Sequence, residues 1–138
     1  MNKESDKNKN INISNNNNTL NIVNYIVNNH KDTPPIDSKN DYLEVLGMSS
    51  FDIMKQNIKT YNDQGRLPDF FCNYITKKYI KDNKKFQSIF STDVSRSNYL
   101  VRILLGDGKA AWINDKGGCK IKDQVITPFI KYVDVKFS

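Results

Sequence analysis

The chain has 138 residues, 38% of them apolar and 26% charged, with a net charge of +6 at pH 7. That length supports one modest domain and excludes two. Two cysteines and one histidine exclude a four-ligand zinc site built without carboxylates, and a polar N-terminus without a membrane-length apolar run predicts a soluble, intracellular protein with free thiols.

Charge and composition divide the chain. Twelve of the first thirty residues are Asn, including the run Asn15–Asn18. Asn side chains compete with the backbone for hydrogen bonds and bury little apolar surface. Residues 1–40 therefore read as a flexible Asn-rich arm and linker. The tract is short and has no aromatic interleaving, which argues against an aggregating segment. Residues 1–48 carry a net charge of −1, and residues 49–138 carry +7. The folding part, residues 41–138, is thus the basic part, and polyanions are its natural electrostatic partners. Lysine-rich surfaces that serve only solubility give the same balance.

Inside the arm, Leu20, Val23, Ile26 and Val27 fit a short helix over Thr19–Asn29 with Thr19 as cap, while the adjacent pairs Ile22-Val23 and Ile26-Val27 would also suit a strand. Thr33-Pro34-Pro35 ends it. Tyr42–Met48 is compact and apolar, with Gly47 suited to a helix C-terminus. Ser49 or Ser50 caps the next helix, in which Phe51, Met54, Ile58 and Tyr61 form one buried stripe. Asn62–Gly65 closes it. A second long helix begins near Pro68 and presents a wide aromatic face: Phe70, Phe71, Tyr74 and Tyr79. Cys72, among these aromatics, reads as a buried small apolar residue.

The pattern then turns to β. Phe86–Ser91 predicts a short strand, and Asn98–Leu105 is the clearest strand of the chain. Gly106-Asp107-Gly108 makes a hairpin turn, and Ala110–Asn114 returns with Trp112 as a core residue. Asp115–Gly118 is another turn. Lys120–Lys136 reads as a last helix with a kink or break near Thr127, because an interior proline such as Pro128 costs a helix roughly 3 kcal/mol. The expected fold class is α+β: two helices, a short strand plus a β-hairpin, and a kinked C-terminal helix behind the arm.

Thr33-Pro34-Pro35, Thr92–Arg96, Trp112-x-x-Asp115-Lys116-x-Gly118 and Thr127-Pro128-Phe129 together resemble an uncharacterised domain of giant, mimivirus-like DNA viruses. In those proteins the domain often follows an Asn-rich, coiled-coil or zinc-finger region. The likeness covers roughly residues 20–135, and this chain lacks the zinc finger. The resemblance implies an α+β module of viral origin, in the host-cell virus factory or the virion, and implies no activity.

Residue chemistry disfavours an enzyme. Asp93, Ser95 and Arg96 have no histidine near them to activate the serine, so they read as a bonded turn. Gly106–Lys109 is followed by Ala110, where a phosphate loop needs Ser or Thr. After residue 48 there is no glutamate, and the nine aspartates are scattered, which disfavours a metal-dependent nuclease. No catalytic residue, metal or cofactor is expected. The best binding surface is the basic end of the second long helix, Lys77, Lys78, Lys81, Lys84 and Lys85, with Arg96 as a further phosphate contact. A solvated helix face is the plainer reading of those lysines. Sequence-independent binding of DNA or RNA is the first functional expectation. A protein–protein or self-assembly module, with Thr19–Asn29 as an oligomerisation helix, is the alternative.

Overall fold

In the computed structural model, residues 16–137 are described; the expectation of a flexible leader over residues 1–15 lies outside them. Three antiparallel strands, β1 (Ile89–Asp93), β2 (Asn98–Leu104) and β3 (Ala110–Asp115), pair in sequence order with β2 central. The helices are α1 (Asn16–Asn29), α2 (Tyr42–Leu46), α3 (Phe51–Asp63), α4 (Leu67–Tyr79), the single turn α5 (Cys119–Ile121) and α6 (Thr127–Phe137). The α+β class is as the patterning predicts, in a small single domain.

Strand register assigns the two sheet faces. Ile89 pairs with Val101, Ser91 with Tyr99, Val101 with Ile113 and Ile103 with Ala111, so these side chains share one face. Ile89, Val101 and Ile103 are buried there with Tyr42, Leu46, Met54, Phe70, Tyr74 and Phe129 from the helices. Phe129 is wholly buried at the centre. Its ring stacks on Tyr42 at 3.9 Å and meets Tyr74 edge-on at 4.9 Å. The Phe51, Met54, Ile58, Tyr61 stripe of α3 packs on this core, as its spacing requires. The Ser50 hydroxyl accepts from the Ile53 N–H at the start of α3, and Gly47, at φ +68°, ends α2 in the left-handed region that favours glycine.

The opposite face carries Phe90, Leu100, Arg102 and Trp112. It is covered by α1 and by the segment 30–35, where Ile26, His30 and Thr33 are buried, while Ile36 joins the helical core. The stretch expected to be arm and linker thus supplies the third layer of the fold. Helix α1 begins at Asn16, so Thr19 lies inside it and does not cap it.

Three other expectations change in detail. The first strand starts at Ile89 and not at Phe86, because Lys84–Phe86 forms a 3₁₀ turn. The Gln87 side chain fixes that turn: its Oε1 accepts from the Lys81 N–H at 3.0 Å and its Nε2 donates to the Ile89 carbonyl at 2.9 Å. Trp112 is half-buried on the α1 side, outside the helical core. Its indole N–H donates to the His30 carbonyl at 2.9 Å. The helix also does not break at Pro128. A π-helical turn, Lys122–Ile126, comes just before it, and the Thr127 N–H donates to the carbonyl of Lys122. The wider turn absorbs the donor and the space that proline lacks.

Candidate functional site

The lysines singled out by the sequence differ in their placement. Lys78 turns inward: its Nζ donates to Asp37 Oδ1 at 2.8 Å, Asp41 Oδ1 at 3.1 Å and the Tyr74 hydroxyl at 3.3 Å, with only 9% of the side chain exposed. The Tyr74 hydroxyl in turn donates to Asp41 Oδ1 at 2.9 Å. Burial alone would lower the Lys78 pKa. The hydrogen bond to Asp37, with the neighbouring tyrosines, raises it well above the ordinary lysine value. Burial pushes Tyr74 and Tyr79 upward as well. Lys78 is therefore a clamp between α4 and the segment 37–41, which corrects its place in a phosphate-binding surface. Both clamped acids lie upstream of Tyr42, beyond the Pro-Pro step, where helical spacing gives no sign of them.

Lys77, Lys81 and Lys85 are exposed. Lys84 is exposed as well, and its Nζ reaches Gln87 Oε1 at 2.9 Å. Arg96 is 79% exposed on the turn after β1, 3.7 Å from Asp93 Oδ2. The Ser95 hydroxyl donates to Asp93 Oδ1 at 2.8 Å, the bonded turn its residues predict. The lysines precede β1 and Arg96 follows it. A five-residue strand separates them, about 16 Å at the usual rise per residue. Arg96 and the lysines thus sit at opposite ends of β1.

A different site was not visible in the sequence. A cleft of about 790 Å³ opens between α4, the helix-facing side of β1 and the beginning of the C-terminal helical segment. From α4 come Leu67, Phe71, Cys72 and Ile75, which lie along one side of the helix. Phe70 and Tyr74 take the buried side, so Cys72 faces outward. The thiol is exposed, against the expectation of a buried one. Ile89 and Tyr99 supply the sheet wall, and Ile121 and Ile126 the third. The π-turn brings residues five apart onto one side, so Ile121 and Ile126 both reach the cleft while Val125 enters the core.

Asp115 holds this third wall in place. It is 3% exposed at the end of β3, and its two carboxylate oxygens accept from the Lys120 N–H at 2.8 Å and the Ile121 N–H at 3.0 Å. One carboxylate thus caps the helical segment and fixes it to the sheet. Gly118, at φ +72°, lets the chain turn over Tyr99; a Cβ there would sit 3.4 Å from the tyrosine ring. Lys122 is the single charged residue among those lining the cleft, and no acid lines it.

Among the described residues no group of three or more His, Cys, Asp or Glu side chains is placed to hold a metal ion, and no helix is long and apolar enough to cross a membrane. No known protein family, curated protein or solved structure matches this chain.

Proposed function

We propose that this protein acts by binding, without catalysis, and that the apolar cleft beside α4 is its binding site. The carrying observation is a cleft of about 790 Å³ whose walls are apolar and whose one charged lining residue is a lysine. Concave, largely apolar sites of that size with a few polar groups are the usual form of ligand sites. The turn at Asp93–Arg96 supports no rival chemistry, because its serine is bonded to a carboxylate and no histidine is its partner. Carried over from the resemblance, the setting is a virus-infected cell, in the virus factory or the virion.

The test uses the folded full-length chain and the fluorescent probe 1-anilinonaphthalene-8-sulfonate. A Cys119→Ser variant leaves Cys72 as the single thiol. Saturable probe binding, lost in Ile75→Glu and after alkylation of Cys72 with a bulky maleimide, supports the cleft. Binding unaffected by both changes, with the circular dichroism intact, overturns it.

Exposed Lys77, Lys81 and Lys85 favour a second reading, sequence-independent contact with nucleic-acid phosphates. Fluorescence anisotropy with labelled DNA and RNA tests it. Three phosphate contacts predict a slope of log affinity against log salt near −3. Charge reversal at these three positions removes the binding, and a flat salt response excludes it.

A further inference from the structure

We propose that the cleft takes a single-chain anionic amphiphile, a long-chain carboxylate, with the acyl chain along α4 and the head group at Lys122. This inference rests on the cleft being a binding site and names its ligand.

Shape is the first ground. The α4 wall runs from Leu67 to Ile75 and continues to Ile80, about 20 Å at the helical rise per residue. That wall bounds the cleft of about 790 Å³. An extended alkyl chain fits within the cleft along its whole length.

Polarity is the second ground, and it gives the ligand a direction. At the Ile80 end the polar groups are Thr76 and Gln87, both uncharged, and the Gln87 amide is already occupied by Lys81, Lys84 and Ile89. At the other end lie Lys122 and the hydroxyls of Ser91 and Ser97, beside the turn at Gly117 and Gly118. Among the described residues no ion pair or side-chain hydrogen bond engages Lys122, Ser91 or Ser97. The single cation sits at one end, uncharged polar groups sit at the other, and no carboxylate lines the cleft. That asymmetry suits one anionic head and one apolar tail. Lys122 and Ile126 are four apart on the C-terminal helical segment and line the same wall.

The experiment is displacement of the fluorescent fatty acid cis-parinarate by saturated carboxylates, each below its critical micelle concentration. Palmitate is expected to compete, and each methylene removed is expected to weaken competition about fourfold, the factor that corresponds to burying one methylene. Lys122→Glu is expected to weaken palmitate at least tenfold while leaving uncharged hexadecanol within twofold. Ile75→Glu removes both. Equal competition by octanoate and palmitate overturns the proposal, as does a Lys122→Glu variant that binds palmitate normally. If anilinonaphthalene sulfonate binds in the cleft and palmitate does not displace it, the cleft stands as a site and the carboxylate assignment falls. If neither binds, both fall. Displacement of parinarate by an acidic amphipathic peptide but not by palmitate also overturns the assignment, in favour of a protein partner.

Discussion

The two faces of the sheet are held by different physics. Toward α2–α6, a single-residue layer of Ile89, Val101 and Ile103 meets a cluster of interlocking aromatic rings centred on Phe129. Toward α1 the apolar contact is thin: Ile26 and Leu100 are buried, while Leu20 and Tyr25 of the helix are more than half exposed. Polar bonds from the sheet to backbone carbonyls make up the difference. Arg102 Nε donates to the Thr33 carbonyl at 3.1 Å and its Nη2 to the Lys31 carbonyl. The Ser88 hydroxyl donates to Pro34, the Trp112 indole to His30, and the Ile36 N–H to the Arg102 carbonyl. One face is fixed by apolar area and insists on side-chain volume. The other is fixed by donors and insists on direction.

Volume loss on the first face is expected to have the largest effect. Phe129→Ala leaves a cavity ringed by aromatics and should cost about 3–5 kcal/mol, lowering the midpoint of cooperative urea unfolding. Removing the charge that ties α4 to the segment 37–41 comes next. Lys78→Met leaves Asp41 with only 15% of its side chain exposed and no cation, at a cost of about 3 kcal/mol. The Asp37 and Asp41 double substitution to Asn should recover part of it. On the α1 face, Arg102→Met should cost about 1.5–3 kcal/mol for its charged hydrogen bonds. Amide exchange should then accelerate across residues 22–36 with little change in α3 and α4; uniform acceleration would mean that the two faces are not separable.

The smallest expected effect is a pH dependence confined to the α1 face. His30 is 7% exposed, its Nδ1 has no hydrogen-bond partner among the described residues, and its ring lies between Tyr25 and Phe90. Burial, with the charge of Lys85, lowers its pKa below the ordinary 6.5. A native state that resists protonation is most stable above the unfolded pKa and loses that stability as pH falls below about 6.5. Asp37, despite the opposing effect of burial, is lowered by its bond to Lys78 and acts in the same direction near pH 4 and below. Unfolding curves at pH 7.5 and 5.0 should diverge for the native chain and converge for His30→Leu; equal divergence in the variant would exclude His30 as the source.

The sequence was legible where structure follows from local spacing. The α3 stripe, the Ser50 cap, the Gly47 terminus and the hairpin at Gly106–Gly108 are each set by residues within a turn or two of one another. The α1 layer was not legible, because its donors are side chains and its acceptors are carbonyls 54 to 82 residues away. Backbone carbonyls have no signature in a sequence. Trp112 and Cys72 were misplaced for a related reason: an aromatic or a thiol among apolar neighbours reads as core, and only the choice of buried helix or sheet face decides otherwise. The cleft escaped because its walls come from segments far apart in the chain, α4, β1, β2 and the C-terminal helical segment, and the last three each give it only one or two apolar residues. Lys122 has no local signature of a site, because the groups it faces across the cleft come from α4 and the sheet.

The long span of the α1 bonds also sets an order of events during synthesis. Residues 31–33 leave the ribosome before their partner Arg102, which lies 69 to 71 residues downstream, and His30 precedes Trp112 by 82. At ordinary elongation rates that interval is roughly 4–16 s. For that time the N-terminal helix, with Leu20, Tyr25 and Ile26 uncovered, has no sheet to dock on. Its abundant asparagines keep so early a segment soluble while it waits, and the layer that is made first is the last to close.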